Sequence, residues 1–340
     1  MSPVEVRPFR RSDRDQLTSL VNAHAGAVVP GMPVSVHTVL SQLERQPGEF
    51  LTDPWVSERA TLVAQQGGRI AAAAHLLRYF PDERAGTPYR DLGEISWFLF
   101  WPYAPAGNPR WPDAAPAADE LMAACLRQLA RWQVARQEAG GELPALGVYG
   151  VPDQWPHVRA AYERAGFAHT GHTEIVYLAR VADLPGPGPV PVAGLSARRA
   201  AGMNGTRLAA VLDDEVIGYI EVDTGQDTER QPRHGEWADI GNLHVEPGYR
   251  RHGVATWLLG QAADWLQLAG VSKVLDYAWL EGPDHGGQDR AGQGRADQDQ
   301  AGYRSFLAAA GFRELTRTRR GWTRTIMDTP AARRKEHGQQ

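Results

Sequence analysis

The sequence predicts an α/β protein of the α+β, mixed-sheet kind, built as two tandem lobes. Three observations carry this. The chain has 340 residues, long for one core and comfortable for two. Residues 184–194, LPGPGPVPVAG, alternate Pro and Gly, which can continue neither a helix nor a central strand, and so read as a linker. The same order of strand and helix patterns recurs on either side of that linker. The expected organisation is a first lobe at 1–183, the linker at 184–194, a second lobe at 195–328 and a loose tail at 329–340.

In the first lobe, 4–9 reads as a strand, and 12–24 and 36–46 as helices. Residues 61–66 and 69–79 form a strand pair around Gly67-Gly68, a hairpin signal. The apolar run 94–101 is a strand, 117–139 a helix by its Leu121, Cys125, Leu129, Trp132 spacing, 145–149 a strand and 156–165 a helix closed by Gly166-Phe167. Two short strands follow, up to Val181. The second lobe repeats the order: a hairpin of 207–213 and 216–223 around Asp214-Glu215, a strand at 237–245, an amphipathic helix at 254–269 capped by Gly270, and a strand at 274–278. A helix at 300–310 closed by Gly311-Phe312 and strands at 314–319 and 322–327 complete it. Its leading strand and two helices are expected to be mostly lost, with only GLSARRAAGMNG in their place. The polar stretch 281–300 lacks large apolar anchors and is expected to be a mobile loop.

An apolar content of 42% with 22% charged residues is that of an ordinary globular protein. A net charge of −4 implies no nucleic acid or other polyanion partner. No apolar run approaches the ~20 residues of a membrane span, and the charged N-terminus has no signal-peptide core. The single cysteine, Cys125, cannot form an internal disulfide, so a reducing cytoplasm is the expected compartment. Scattered histidines show no metal-ligand spacing, and no metal is expected.

The segment LHVEPGYRRHGVAT, 243–256, carries a mechanism. A strand ends at Val245 and a helix begins at about Gly253. The first amides of a helix lack internal acceptors, and the helix dipole adds positive charge there, which together suit a diphosphate. Gly253 lets phosphate oxygens approach the backbone, Ala255 is small for the same reason, and Arg250 and Arg251 add charge. The strand end Leu243, His244, Val245 can pair with an extended amide-bearing arm. The competing reading is a surface turn with two solvated arginines. The position at a strand-to-helix junction, followed by an amphipathic helix, strand, helix and Gly-Phe, favours the ligand site.

On these residues the second half resembles the GNAT acetyltransferase superfamily, whose Arg/Gln-x-x-Gly-x-Gly/Ala signature is met by Arg250, Gly253 and Ala255. The tandem order resembles two-lobed members of that superfamily. The resemblance implies two GNAT-like domains with a splayed mixed sheet, and acetyl-CoA as co-substrate held by Leu243, His244, Val245, Arg250, Arg251, His252, Gly253, Val254, Ala255 and Thr256. It implies direct attack by a bound amine in a ternary complex. The first lobe departs from the signature: Pro109, Pro112 and Pro116 supply no amides, so a lost CoA site is expected there.

For catalysis the resemblance implies a tyrosine that protonates the departing thiolate. Tyr162 holds that place in the first lobe, read as a packed remnant, but Leu307 holds it in the second. Tyr303, one turn earlier, either offers a displaced phenol or is a helix-surface residue. Asp239 stands where many members carry a glutamate base, with Glu236 nearby and Glu221 on the neighbouring strand. Period-two alternation puts Asp239, Leu243 and Val245 on one face. Cys125 reads as core, not nucleophile. The expected partner is a small-molecule amine acceptor, without membrane or nucleic acid, and a homodimer is left open. The other reading is a catalytically decayed CoA-binding regulatory protein.

Overall fold

A computed structural model describes residues 3–45, 54–102, 113–224, 236–280 and 300–326. The expected loop at 281–300, apart from Gln300, and the expected tail lie outside them, as do Pro109 and Pro112.

In the first half, β1 (Val4–Pro8) leads into α1 (Arg14–Val28) and α2 (Val36–Leu43). Ser35 caps α2, its Oγ accepting from the Thr38 amide at 3.0 Å. The hairpin of β2 (Val56–Gln66) and β3 (Arg69–Tyr79) turns at Gly67 and Gly68, both at positive φ. Next come β4 (Leu92–Phe100), α3 (Ala115–Trp132), β5 (Arg136–Ala139), β6 (Val151–Pro152), α4 (Pro156–Arg164), β7 (Ala168–His169) and β8 (Thr173–Arg180). The second half runs β9 (Ser196–Gly202), β10 (Gly205–Leu212), β11 (Glu215–Asp223), β12 (Trp237–Val245), α5 (Val254–Leu268), β13 (Lys273–Leu280), α6 (Gln300–Ala309), β14 (Arg313–Arg319) and β15 (Trp322–Arg324).

Several elements differ from their sequence reading. The helix expected at 117–139 ends at Trp132, because Gln133 turns left-handed at φ 54°, and Arg136–Ala139 becomes β5, parallel to β4. The strand expected at 145–149 is absent, replaced by turns and one bridge, Glu142 to Tyr149. The second half keeps its leading strand: β9 pairs with β10 along its whole length, and only the two helices are missing from the order. The small and charged composition of β9 hid it, since it is an exposed edge strand with no apolar face to show a period of two. The β10–β11 turn sits at Asp213-Asp214, both at positive φ, one residue before the expected place.

The strands form a seven-stranded sheet, β1-β2-β3-β4-β5-β15-β7, and an eight-stranded one, β6-β14-β8-β13-β12-β11-β10-β9. Each half lends strands to the other. β8 lies between β13 and β14 of the second half, and β15 lies between β5 and β7 of the first. The cores follow. The larger one holds α1, α3 and the first sheet together with Trp237, Leu275, Tyr277 and Trp322 from the second half. The other packs α5 and α6 on the second sheet and takes in Ile175, Tyr177 and Ala179 of β8. One face of the second sheet therefore meets its own helices, and part of the other meets the first half, which replaces the two missing helices.

Candidate transfer site

The site begins where β12 and β13 part. They pair in parallel only through Trp237–Lys273, Ala238–Val274 and Asp239–Leu275. Past this point β13 continues to Leu280 against β8, while β12 continues to Val245 against β11. The divergence is a wedge whose apex is Asp239. At its far end Val245 leads through a short turn to α5.

That turn has the shape expected of an anion cradle. Arg251 and Gly253 are at φ 63° and 83°, and Gly253 is the N-cap of α5. Arg250, Arg251, His252, Gly253 and Thr256 are exposed, Ala255 is half-buried, and Val254 anchors the helix in the core. The turn is fixed from behind: Arg250 Nε donates to Val245 O at 3.0 Å, and His252 Nδ1 donates to Arg250 O at 2.9 Å. Among the described residues no side chain caps α5, so its leading amides face outward at the dipole's positive end. The linker flanks this mouth, since a Cβ on Gly253 would stand 3.4 Å from Pro191. These features fit a diphosphate.

The faces of β12 differ from simple alternation. The ladder with β11 slips between Glu221 and Val222, leaving Gly241 as the extra residue of a bulge. Ala238, Ile240, Leu243 and Val245 face α5 and the second core. Asp239 does not share the face of Leu243 and Val245, as expected from the sequence. It lies on the opposite face, with Trp237 on one side and, beyond the bulge, Asn242 and His244 on the other. One inserted residue inverts the alternation.

Asp239 is buried at the interface between the halves, 8% exposed. Its Oδ2 accepts from Tyr149 Oη of the first half and from Tyr277 Oη of β13, each at 3.0 Å. Burial, and then the charge of Asp239, push both phenols well above their ordinary range, so both remain protonated donors. Sequence reasoning missed Tyr149 and Tyr277 because their meeting with Asp239 depends on how the halves pack. Glu236 does not join them. It precedes β12, its side chain is exposed, and its carbonyl accepts from the Ser272 and Lys273 amides. Glu221, 1% exposed, is engaged by Arg207, Asn204 and the Met203 amide.

Tyr303 is not a surface tyrosine. It is 8% exposed, and its Oη donates to Oδ2 of the fully buried Asp276 at 2.6 Å. Asp276 is the first residue of β13 past the apex, so this phenol lies by the wedge on the helix face, opposite Asp239. Leu307, one turn on, is completely buried. His244 stacks near Tyr219, ring centroids 5.5 Å apart, and its Nε2 lies 3.2 Å from Glu246 Oε1.

The first half shows the corresponding wedge filled. β4 and β5 pair as far as Ile95–Ala139, with Ser96 at the bulge and Glu94 where Asp239 stands. The chain then stays on β4: the Gly140 amide donates to Ile95 O at 2.9 Å and the Glu142 amide to Ser96 O at 3.0 Å. Tyr162, completely buried, donates its Oη to Gly140 O at 2.8 Å. Its own backbone thus occupies the opening. Cys125 is fully buried, and burial pushes its thiol up, which suits a core residue. Among the described residues no cluster could hold a metal ion, and no helix is long and apolar enough to cross a membrane.

Comparison with known proteins agrees with this geometry. Residues 175–286 match the family model described as "Acetyltransferase (GNAT) family". That segment is a GNAT-family domain, and the whole chain has the two-lobed fold of tandem GNAT proteins. Among solved structures, a tandem GNAT protein from the clavulanic acid biosynthesis pathway is 17% identical, with 94% of this chain and 98% of that one covered and a TM-score of 0.63. A GCN5-related N-acetyltransferase from Sphaerobacter thermophilus is 15% identical, covering 97% and 99%, with a TM-score of 0.57. A glucosamine N-acetyltransferase region of a fungal multi-domain β-N-acetylglucosaminidase is 14% identical, covering 95% of this chain but 38% of that one, at a TM-score of 0.61. No curated protein matches the sequence. The family supports acyl transfer in general terms.

Proposed function

We propose that the chain is an acyl-CoA-dependent N-acetyltransferase acting on a primary amine of a small molecule. The observation that carries this reading is the wedge between β12 and β13, with a carboxylate at its apex and an uncapped helix N-terminus at its mouth. Acetyl-CoA would supply the acyl group as a thioester and depart as the thiol. The amides of Val254, Ala255 and Thr256 with Arg251 and Gly253 would hold the diphosphate, and the edge of β12 up to Val245 would align the amide-bearing arm. His244 would contribute through its backbone.

Asp239 faces the side on which an acceptor enters. As an anion oriented by two phenols, it attracts an ammonium and takes up its proton at a carboxylate oxygen, either directly or through water. An alkylammonium with pKa near 10 must lose that proton before attack. On the other face, Tyr303 Oη, oriented by Asp276, is the phenol we assign to a departing thiolate. A thiol with pKa near 8.5 needs little help at neutral pH.

Two measurements test the reading. Calorimetric titration must show heat of binding for acetyl-CoA, and thiol release must rise when primary amines are added. Thiol release absent across the amine panel, with binding retained, would favour the second reading, a CoA-binding regulatory protein. That reading draws on the leucine at position 307 and on the enclosure of Tyr303.

A further inference from the structure

Among the described residues, the face of the second sheet that carries Asp239 has no helix of its own half, yet it is not left bare beside the apex. The turn joining β9 to β10 folds over it. Asn204 lies so close to the bulge that a Cβ on Gly241 would stand 2.4 Å from the Asn204 Cβ. Only glycine fits there. The turn is fastened to the sheet by Glu221, whose Oε1 accepts from the Met203 amide at 3.2 Å and from Arg207 Nε at 2.8 Å, while Oε2 accepts from Asn204 Nδ2 at 3.1 Å. A nearly fully buried carboxylate with these donors makes a rigid anchor, not a base. Glycines at 202 and 205 are equally confined: a Cβ on Gly202 would meet Glu221 at 2.5 Å, and one on Gly205 would meet the Val222 carbonyl at 2.4 Å.

We propose that this turn, through Asn204, is the acceptor-side wall of the transfer site and fixes the class of acceptor as a compact primary amine. The proposal rests on the acyl-CoA reading above. An arm that leaves the cradle beside Val245 and follows β12 reaches Gly241 after four residues, about 13 Å at ~3.3 Å per residue. Its reactive end then lies beside Asn204. Asp239 is two residues further, with Tyr149 of the first half behind it. On this proposal the acceptor nitrogen comes to Asp239 between the Asn204 turn and Tyr149. With one wall from each half, such an entry would suit a small amine, not a lysine on a folded protein.

The chain's buried single thiol permits a direct test, because it leaves the native background silent. Asn204→Cys is treated with the mixed disulfide of CoA and methanethiol. The introduced thiolate attacks the CoA sulfur, the S–S bond breaks, methanethiolate leaves, and CoA stays joined to the protein, a mass gain read by mass spectrometry. Met203→Cys is the control, since Met203 is 86% exposed on the same turn. Asn204→Cys should capture CoA about tenfold or more faster than the control, by proximity, and acetyl-CoA should suppress the capture. Asn242→Cys, beside the bulge on the same face, serves if the first variant does not fold. Equal rates, or capture indifferent to acetyl-CoA, would overturn the proposal while leaving the functional reading intact. Absence of any acetyl-CoA binding to the native protein would instead remove that reading, and the wall with it.

Discussion

At the residue scale, the proposed chemistry depends on two positions of opposite legibility. Gly253 could be read from the sequence, because an Arg-x-x-Gly-x-Ala string between a strand and an amphipathic helix has a direct physical meaning. Gly253→Asp places a carboxylate where a diphosphate would sit, and should weaken acetyl-CoA binding at least ~10-fold, about 1.4 kcal/mol, by calorimetry. Gly253→Asn is the control, near-isosteric, neutral and tolerant of the φ of 83° at this position. Asp239 was legible as a residue type but not as a constellation. Neither its two phenol donors nor its face could be read, since a single extra residue at Gly241 inverts which side chains look away from the second core. Asp239→Ala should lower kcat/KM for an amine substrate by about 10²-fold while leaving acetyl-CoA affinity unchanged. An equal loss of both would show that it holds the fold and not the acceptor.

At the scale of elements, α1 and α4 meet through two imidazoles, His24 buried and His157 half-buried. His24 Nε2 lies 3.0 Å from His157 Nε2, between Trp155 and Phe100. Burial lowers both to about 4 from an ordinary 6.5. Between those values the unfolded chain binds more protons than the folded one, so stability is complete above about pH 6.5 and falls as pH drops toward 4. The loss reaches ~3 kcal/mol for His24, and less for the half-exposed His157. Melting temperatures across that window should decline in the native protein and more shallowly in His157→Gln. A parallel decline in both would assign the acid sensitivity elsewhere. Long periodic elements such as α5, β3 and β12 were readable in the sequence. β5 was not: four residues with three polar side chains, following a helix without a break in periodicity, carry no strand signal until β4 is beside them. The edge strand β9 failed for the same reason.

For the whole molecule, the exchange of β8 and β15 makes the two halves one folding unit, which no local pattern in the sequence could announce. A chain cut at the Pro/Gly linker would leave β8 without its partners and a gap between β5 and β7. Residues 1–183 and 195–340 expressed separately should aggregate through these unpaired edges, and should form a soluble complex when co-expressed, as judged by size-exclusion chromatography. Calorimetry of the intact chain should show one transition, not two. The filled wedge of the first half has a practical reach of its own. Gly140 and Glu142 lay two alternate main-chain amides along β4, as an extended inhibitor would have to do along β12 in the other half. The protein thus carries a built-in template for a peptidomimetic: a short backbone with that donor spacing, grafted onto an anionic group for the helix mouth, is a rational starting scaffold for blocking the open copy.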